Sequence, residues 1–337
     1  MSGRATLNDV AVIAHVSAVT VSRVLRRPEM VSTVLRERVL KAVRELAYIP
    51  NQMASALASS RTGRIGVIVP SFTNGVFGDF LRGIHDLMVP AGFQVVMLNS
   101  NYMPGLEESA IVTMLGQFPE AIVLTGIGQT RQARRALEQS GIPVIQALEL
   151  TDKPIDINIG LSQADAGYAA AEHLLKLGHR RLCAISAPHD TRSLKRLEGY
   201  RRALVEIGAE PRIVSVDEPS SIRLGSSLLV EMLEKFPETS AVFCGNDNLA
   251  LGALFECQRR AIAVPDAMSI MGFNDLELAG SAFPAISSIA TPRYEIGRSA
   301  AEIILEIVRG SGERPAQRTL DLGFKLIERD STAAPRG

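Results

Sequence analysis

The chain has 337 residues, enough for two or three domains, and its 36 basic and 36 acidic side chains cancel to a formal net charge of zero. Its cysteines, Cys183, Cys244 and Cys257, are scattered in apolar surroundings, which excludes a disulfide frame or a zinc site and suits reduced thiols in a cytoplasmic protein. No apolar run is long enough to span a bilayer and no signal-peptide pattern begins the chain, so a soluble protein with no membrane partner is expected.

The charge is unevenly spread. Residues 1–62 carry nine basic and four acidic side chains, and the remainder carries 27 and 32. A basic head on an acidic body suits a small nucleic-acid module joined to a larger domain. Within the head, Thr6 can cap a short helix over 6–14. Ser17 can cap a second helix running to Leu25, because its hydroxyl can accept from a free amide of the first turn. Val21, Val24 and Leu25 fall at i, i+3 and i+4 and form one inward stripe, leaving Ala18, Val19, Ser22 and Arg23 on the other face. Two short helices joined by the tight link His15-Val16-Ser17 form a helix-turn-helix pattern, whose second helix enters the major groove of DNA.

The stretch Arg26-Arg27-Pro28-Glu29 reads as a turn. Ser32 can cap a third helix over 33–46, with Leu35, Val39, Ala42, Val43 and Leu46 inward. Pro50 ends regular structure. Residues 51–60 could form one more helix of about two turns, capped by Asn51 and edged by Ala54, Leu57 and Ala58. A helix this short is marginal by itself, so the segment is either a plain linker or a helix that forms on DNA and melts off it.

From Arg64 the pattern changes. Nearly continuous apolar runs at 65–69, 94–98, 121–124, 143–147, 182–186, 213–216, 241–244 and 269–272 have the character of buried parallel strands. Amphipathic helices are predicted between most of them, at 76–90, 107–117, 131–140, 164–177, 194–207, 222–236 and 249–260. This alternation implies doubly wound α/β architecture, and the number of strands favours two similar subdomains with a ligand cleft at the strand ends. No Gly-x-Gly-x-x-Gly, P-loop or Gly-x-Ser-x-Gly pattern is present. His15, His85, His173, His179 and His189 lack metal-ligand spacing. No enzyme, catalytic residue, cofactor or metal is therefore expected. A sugar-binding protein with no DNA role shares the cleft architecture, but the head argues against it.

Several motifs in order carry a resemblance. Thr6-Leu7, Asp9-Val10-Ala11, Val16-Ser17, Thr20-Val-Ser-Arg-Val-Leu25 and Tyr48-Ile-Pro-Asn51 closely resemble the DNA-binding domain of LacI/GalR-type regulators. Ile65-Gly-Val67, Pro70-Ser-Phe-Thr-Asn74, Lys176-Leu-Gly-His-Arg-Arg181, Arg196-Leu-Glu-Gly-Tyr200, Cys244-Gly-Asn-Asp-Asn-Leu-Ala-Leu-Gly252, Val264-Pro-Asp266, Gly272-Phe-Asn-Asp275 and Thr291-Pro-Arg293 resemble the body of the same family. A narrower similarity to gluconate-operon repressors rests on Arg26-Arg-Pro-Glu29, Phe255-Glu-Cys-Gln258, Thr291-Pro-Arg293 and Leu320-Asp-Leu-Gly-Phe324.

The resemblance implies an N-terminal all-α helix-turn-helix DNA-binding domain (1–50) and a hinge (51–62). An α/β core like the periplasmic binding proteins follows (63–337), built of two doubly wound subdomains. Their expected bounds are 63–160 with 292–317, and 161–290 with 318–330, the third crossing falling near 317–319. It implies a homodimer on palindromic operator DNA, with Thr6, Ser17, Ala18, Val19, Thr20, Ser22 and Arg23 at the major groove. Asn51, Ala54 and Leu57 would lie at the minor groove, where Leu57 would act as a wedge. The implied effector is a sugar or sugar acid such as gluconate, held by Phe72, Thr73, Phe77, Glu149, Arg196, Asn246, Asn274 and Thr291. A corepressor-dependent, purine-type regulator is the alternative. Arg196 is the expected cation for an acid group, with Arg293 second. Asp247 either meets the ligand or caps the helix that follows it, and Asp275 has the same two readings. The polar end, residues 328–337, is expected to be loose and carries no leucine heptads, which favours a dimer over a tetramer.

Overall fold

The computed structural model describes residues 5–26, 28–49, 61–187, 190–310 and 312–336. Of the expected DNA-contact residues, Asn51, Ala54 and Leu57 lie outside this set. The chain divides into two compact units, residues 1–62 and 63–337.

The first unit holds helices α1 (Leu7–Ile13), α2 (Ala18–Arg26) and α3 (Thr33–Glu45). Thr6 and Asp9 close a capping box: Thr6 N donates to Asp9 Oδ2 at 2.7 Å and Asp9 N donates to Thr6 Oγ1 at 3.3 Å. His15 takes a left-handed φ of 49° and turns the chain, so that α1 and α2 meet at 102°. Ser17 Oγ accepts from Thr20 N at 3.1 Å. Val21 and Val24 pack with Val10, Ala14, Val39, Ala42 and Tyr48 in a small core. Ser32 stands at the N-cap position of α3, but its hydroxyl makes no capping bond. Its carbonyl accepts from Arg36 N at 2.9 Å, which is enough to start the helix.

The second unit contains two sheets. The first has the order β11-β5-β4-β3-β1-β2, made of β1 (Arg64–Val69), β2 (Gln94–Asn99), β3 (Ala121–Leu124), β4 (Val144–Ala147), β5 (Ile157–Gly160) and β11 (Thr319–Asp321). The second has the order β12-β10-β9-β8-β6-β7, made of β6 (Leu182–Ser186), β7 (Arg212–Ser215), β8 (Ala241–Cys244), β9 (Ser269–Asn274), β10 (Ser287–Ala290) and β12 (Lys325–Ile327). All pairings are parallel except β10 with β12. Burial on both faces explains the continuous apolar runs: Ile65, Val67, Ile68 and Val69 are all buried. Each sheet reverses its strand order beside its first strand, and the ends of the strands at that switch point are the favoured place for a ligand.

The helices of this unit are α4 (Val76–Met88), α5 (Pro104–Leu115), α6 (Arg131–Gln139), α7 (Gln163–Lys176), α8 (Thr191–Glu206), α9 (Ile222–Lys235), α10 (Asp247–Arg259), α11 (Glu277–Ser281) and α12 (Arg293–Arg309). The short strands β5 and β10–β12 and the helices α11 and α12 go beyond the elements predicted from periodicity. Three helix pairs approach through reciprocal glycines: Gly83 with Gly297, Gly167 with Gly199, and Gly225 with Gly252. At each, a Cβ would run into backbone of the partner helix.

Two expectations are corrected. The third crossing lies at 322–324, not 317–319, because β11 still pairs with β5 and Leu322 N donates to Gly160 O at 2.9 Å. Residues 318–321 therefore belong with the first sheet. The polar end is also not loose. Ser331 is fully buried: its Oγ donates to Ile270 O at 2.6 Å, its N to Ala285 O at 3.0 Å, and its O accepts from Ile270 N at 2.8 Å. Polar side chains are readily buried once their bonds are made.

Candidate functional site: a recognition helix and an arginine-lined cleft

The outer face of α2 presents Val19, 67% exposed, and an exposed Arg23, with Ala18, Thr20 and Ser22 half-buried beside them. Ser17 and Thr20 join their hydroxyls at 2.9 Å. The helix thus offers one guanidinium, small hydroxyls and apolar methyls, a set that suits phosphates, guanine edges and thymine methyls.

In the second unit, the ends of both sheets meet at a cleft. Asn74, Phe77 and Tyr102 come from the first sheet, and Asp190, Arg192, Arg196, Asn246 and Asn274 from the second. It opens onto about 420 Å³ of space, with the solvent-filled mouth included. Its charged wall is the first turns of α8. Asp190 caps that helix by accepting from Ser193 N at 2.9 Å. One turn apart, Arg192 and Arg196 lie on the same face and are both buried. Arg192 Nε donates to Asp190 Oδ2 at 3.0 Å, and its guanidinium lies 5.3 Å from the Phe77 ring centroid. Arg196 Nε donates to Gln163 Oε1 at 2.7 Å and Nη1 to Gly245 O at 2.8 Å, over the Phe273 ring at 3.9 Å.

Burial alone would raise the Asp190 carboxyl, but Arg192, Arg196 and the Ser193 amide hold it down at about 2. Burial pulls Arg196 down to about 10, against the attraction of Asp190. Both arginines stay charged at neutral pH; Asp190 is the carboxylate that acts on them most strongly, and Glu149 acts on both more weakly. Among the described residues, no group of three or more His, Cys, Asp or Glu side chains could hold a metal ion.

The structure brings Phe77, Arg196, Asn246, Asn274 and Thr291 to the cleft or to the inner chamber behind it. Asn246 also caps α10 by accepting from Leu249 N at 3.1 Å. Phe72 and Thr73 are not brought there: both are exposed, Phe72 by 58%, in the loop tied at Ser71. That loop delivers Asn74 instead. Glu149 lies beside the cleft, fully buried, where it accepts from Thr191 Oγ1 at 3.1 Å and pairs with Lys195 Nζ at 2.6 Å. It links the first sheet to α8. Arg293 is engaged by Asp79 at 3.0 Å, by Thr291 Oγ1 at 3.1 Å and by Asn274 O, while its Nε is buried without a partner at the inner chamber.

A model of bacterial regulatory proteins of the lacI family matches residues 6–51, and one of periplasmic binding proteins and the sugar binding domain of the LacI family matches residues 62–328. The chain belongs to the LacI family. It is 43% identical over 334 residues to the HTH-type transcriptional regulator GntR of Pseudomonas aeruginosa, covering 98% of this chain and 96% of that one. A crystal structure of a LacI-family transcriptional regulator from Silicibacter pomeroyi superposes with a TM-score of 0.91 at 34% identity, covering 98% of this chain and 100% of that one. The lac repressor dimer bound to operator and an anti-inducer superposes with a TM-score of 0.83 at 26% identity, covering 98% and 100%.

This LacI-family cleft contains residues that sequence reasoning missed: Asn74, Tyr102, Gln163, Asp190 and Arg192. The last two had a readable signal, an Asp-x-x-Ser cap followed by arginines four apart. Asp247, read as either cap or ligand contact, is neither. The cap is Asn246, while Asp247 accepts from Phe273 N at 2.8 Å, Leu276 N at 2.7 Å and Ser288 Oγ at 2.8 Å. It ties down the loop after β9. Burial pushes its carboxyl up to about 6, despite those three bonds. The folded protein thus takes up this proton before the unfolded chain does, and stability falls as pH rises through about 4 to about 6. Asp247→Asn mimics the neutral form. Its melting temperature relative to the parent is expected to climb between about pH 4 and about pH 7. A pH-independent difference in thermal melts would count against this.

Proposed function

We propose that this transcriptional regulator is a repressor released from its operator by a sugar acid, gluconate being the favoured example. The observation that carries the reading is the pair Arg192 and Arg196, buried one helical turn apart at the cleft, with only Arg192 hydrogen-bonded to a carboxylate, that of Asp190. An acid group suits the excess positive charge, and hydroxyls suit the amides of Asn74, Asn246 and Asn274. The similarity to gluconate-operon repressors noted in the sequence supports the same class. The ligand would touch both halves of the second unit and so favour one angle between them. Linkage then requires that an effector which loosens operator binding is itself bound less tightly on operator.

Dimerisation is supported by the likeness to the lac repressor dimer. It is also supported by the exposed apolar side chains Phe255, Leu278 and Phe283, the last 89% exposed. Two copies would read a palindrome through α2, while Asn51, Ala54 and Leu57 of the hinge would meet the minor groove. Gel-shift titration of operator with gluconate, other sugar acids, neutral sugars and nucleobases tests the reading. A sugar acid is expected to release the DNA; release or tightening by a nucleobase alone would replace this reading with the purine-type one. In the same assay Arg23→Ala is expected to cost roughly 1–3 kcal/mol of operator affinity, if the arginine reads a base. Unchanged affinity would remove Arg23 from the interface.

A further inference from the structure

Two adjacent non-glycine residues at the cleft have left-handed backbone: Asn274 at φ 104° and Asp275 at φ 55°. Such conformations are unfavourable for residues with side chains and persist only where the surroundings hold them. Asn274 is buried and lines both the cleft and its inner chamber. Part of what holds the loop is local: Asp247 takes the amides on either side, and Asp275 N donates to Ser288 Oγ at 3.0 Å.

Arg293 Nη1 also donates to Asn274 O, and a further hold comes from the end of the chain. After β12, Arg329 lies against the loop, and its Nη1 donates to Asp275 Oδ1 at 2.7 Å and to Ile286 O at 2.8 Å. Its own backbone is clasped by Ser287 Oγ, which accepts from Arg329 N at 2.9 Å and donates to Arg329 O at 3.1 Å. The following residues are sewn into the second sheet through Ser331, and Ala333 O accepts from the His179 ring at 2.9 Å. Arg329 therefore reaches Asp275 from an anchored backbone.

We infer that Arg329 is a positioning residue for the effector cleft. Through Asp275 it holds the left-handed Asn274–Asp275 backbone in the arrangement that presents Asn274 to the ligand. The inference rests on the reading of the cleft as the effector site, but part of its test needs no ligand. In the full-length protein, Arg329→Gln and Asp275→Asn should each speed amide hydrogen exchange at Asp275 and Leu276 by about tenfold or more, the loss of one charge-assisted bond. Exchange in β6 and β8 should stay as in the parent. Each variant should also weaken gluconate binding by about tenfold in calorimetry, while operator affinity is unchanged. Because Arg329 acts through Asn274, the losses in Arg329→Gln with Asn274→Ala should not add, and Arg329→Lys should restore part of the affinity. Unchanged exchange at Asp275 and Leu276 in both single variants, or additive losses in the double variant, would overturn the inference. If the parent binds no sugar acid, the reading of the effector falls, and the exchange result still decides the role of Arg329.

Discussion

Arg196→Ala is expected to abolish the response to a sugar acid. A buried charge-assisted contact contributes about 1.5–3 kcal/mol, so effector affinity should fall by up to about two orders of magnitude. The geometry adds a complication. Gln163 Oε1 and Gly245 O both lose their donor, and the Phe273 ring loses its cation. The variant should thus also be less stable, and its operator affinity must be measured well below its melting temperature. Arg192→Ala should give a similar loss for a second reason: it leaves Asp190 facing the incoming anion with one cation fewer. Asp190→Asn should act in the opposite direction, because asparagine can still cap α8 while the site gains net positive charge. Calorimetry showing Arg196→Ala binding gluconate as tightly as the parent would put the pocket elsewhere.

Gly199→Ala is expected to be the most damaging single methyl added to the body. Its Cβ would meet the Ala164 carbonyl and lie 2.6 Å from Tyr168 N, both backbone atoms that cannot swing aside. Helices α7 and α8 would have to part, at a cost of about 1–3 kcal/mol or more for overpacking. Because Arg192 and Arg196 ride on α8, effector affinity should fall together with the melting temperature. Gly78→Ala in α4 is the control: a Cβ there meets nothing within 4 Å, so it should be neutral or stabilising by up to about 1 kcal/mol of helix propensity. Equal melting temperatures for the two variants would mean that the close approach of α7 and α8 is not what the glycine serves.

Much of this protein could be read from local pattern. The stripe Val21, Val24, Leu25 predicts which side of α2 packs, since a helix repeats every 3.6 residues whatever surrounds it. Val21 and Val24 are indeed buried while Val19 and Arg23 are exposed. The apolar runs predict the central strands for the same reason, because burial on both faces leaves no polar alternation. Short edge strands such as β11 and β12, three residues each, lack the length to show a period. Contacts between distant segments were beyond any local pattern. The pairing of Arg293 with Asp79 and the place of Asn74 instead of Phe72 at the cleft depend on how loops and helices from separate segments come together. The buried Ser331 makes the point most plainly. In sequence it belongs to a polar tail, and only a neighbouring strand 61 residues away supplies the Ile270 carbonyl that lets it be buried. Hydrophobic periodicity sets which face of an element turns inward. Which polar groups then meet there is decided by long-range hydrogen bonds that exist only once the sheets have formed.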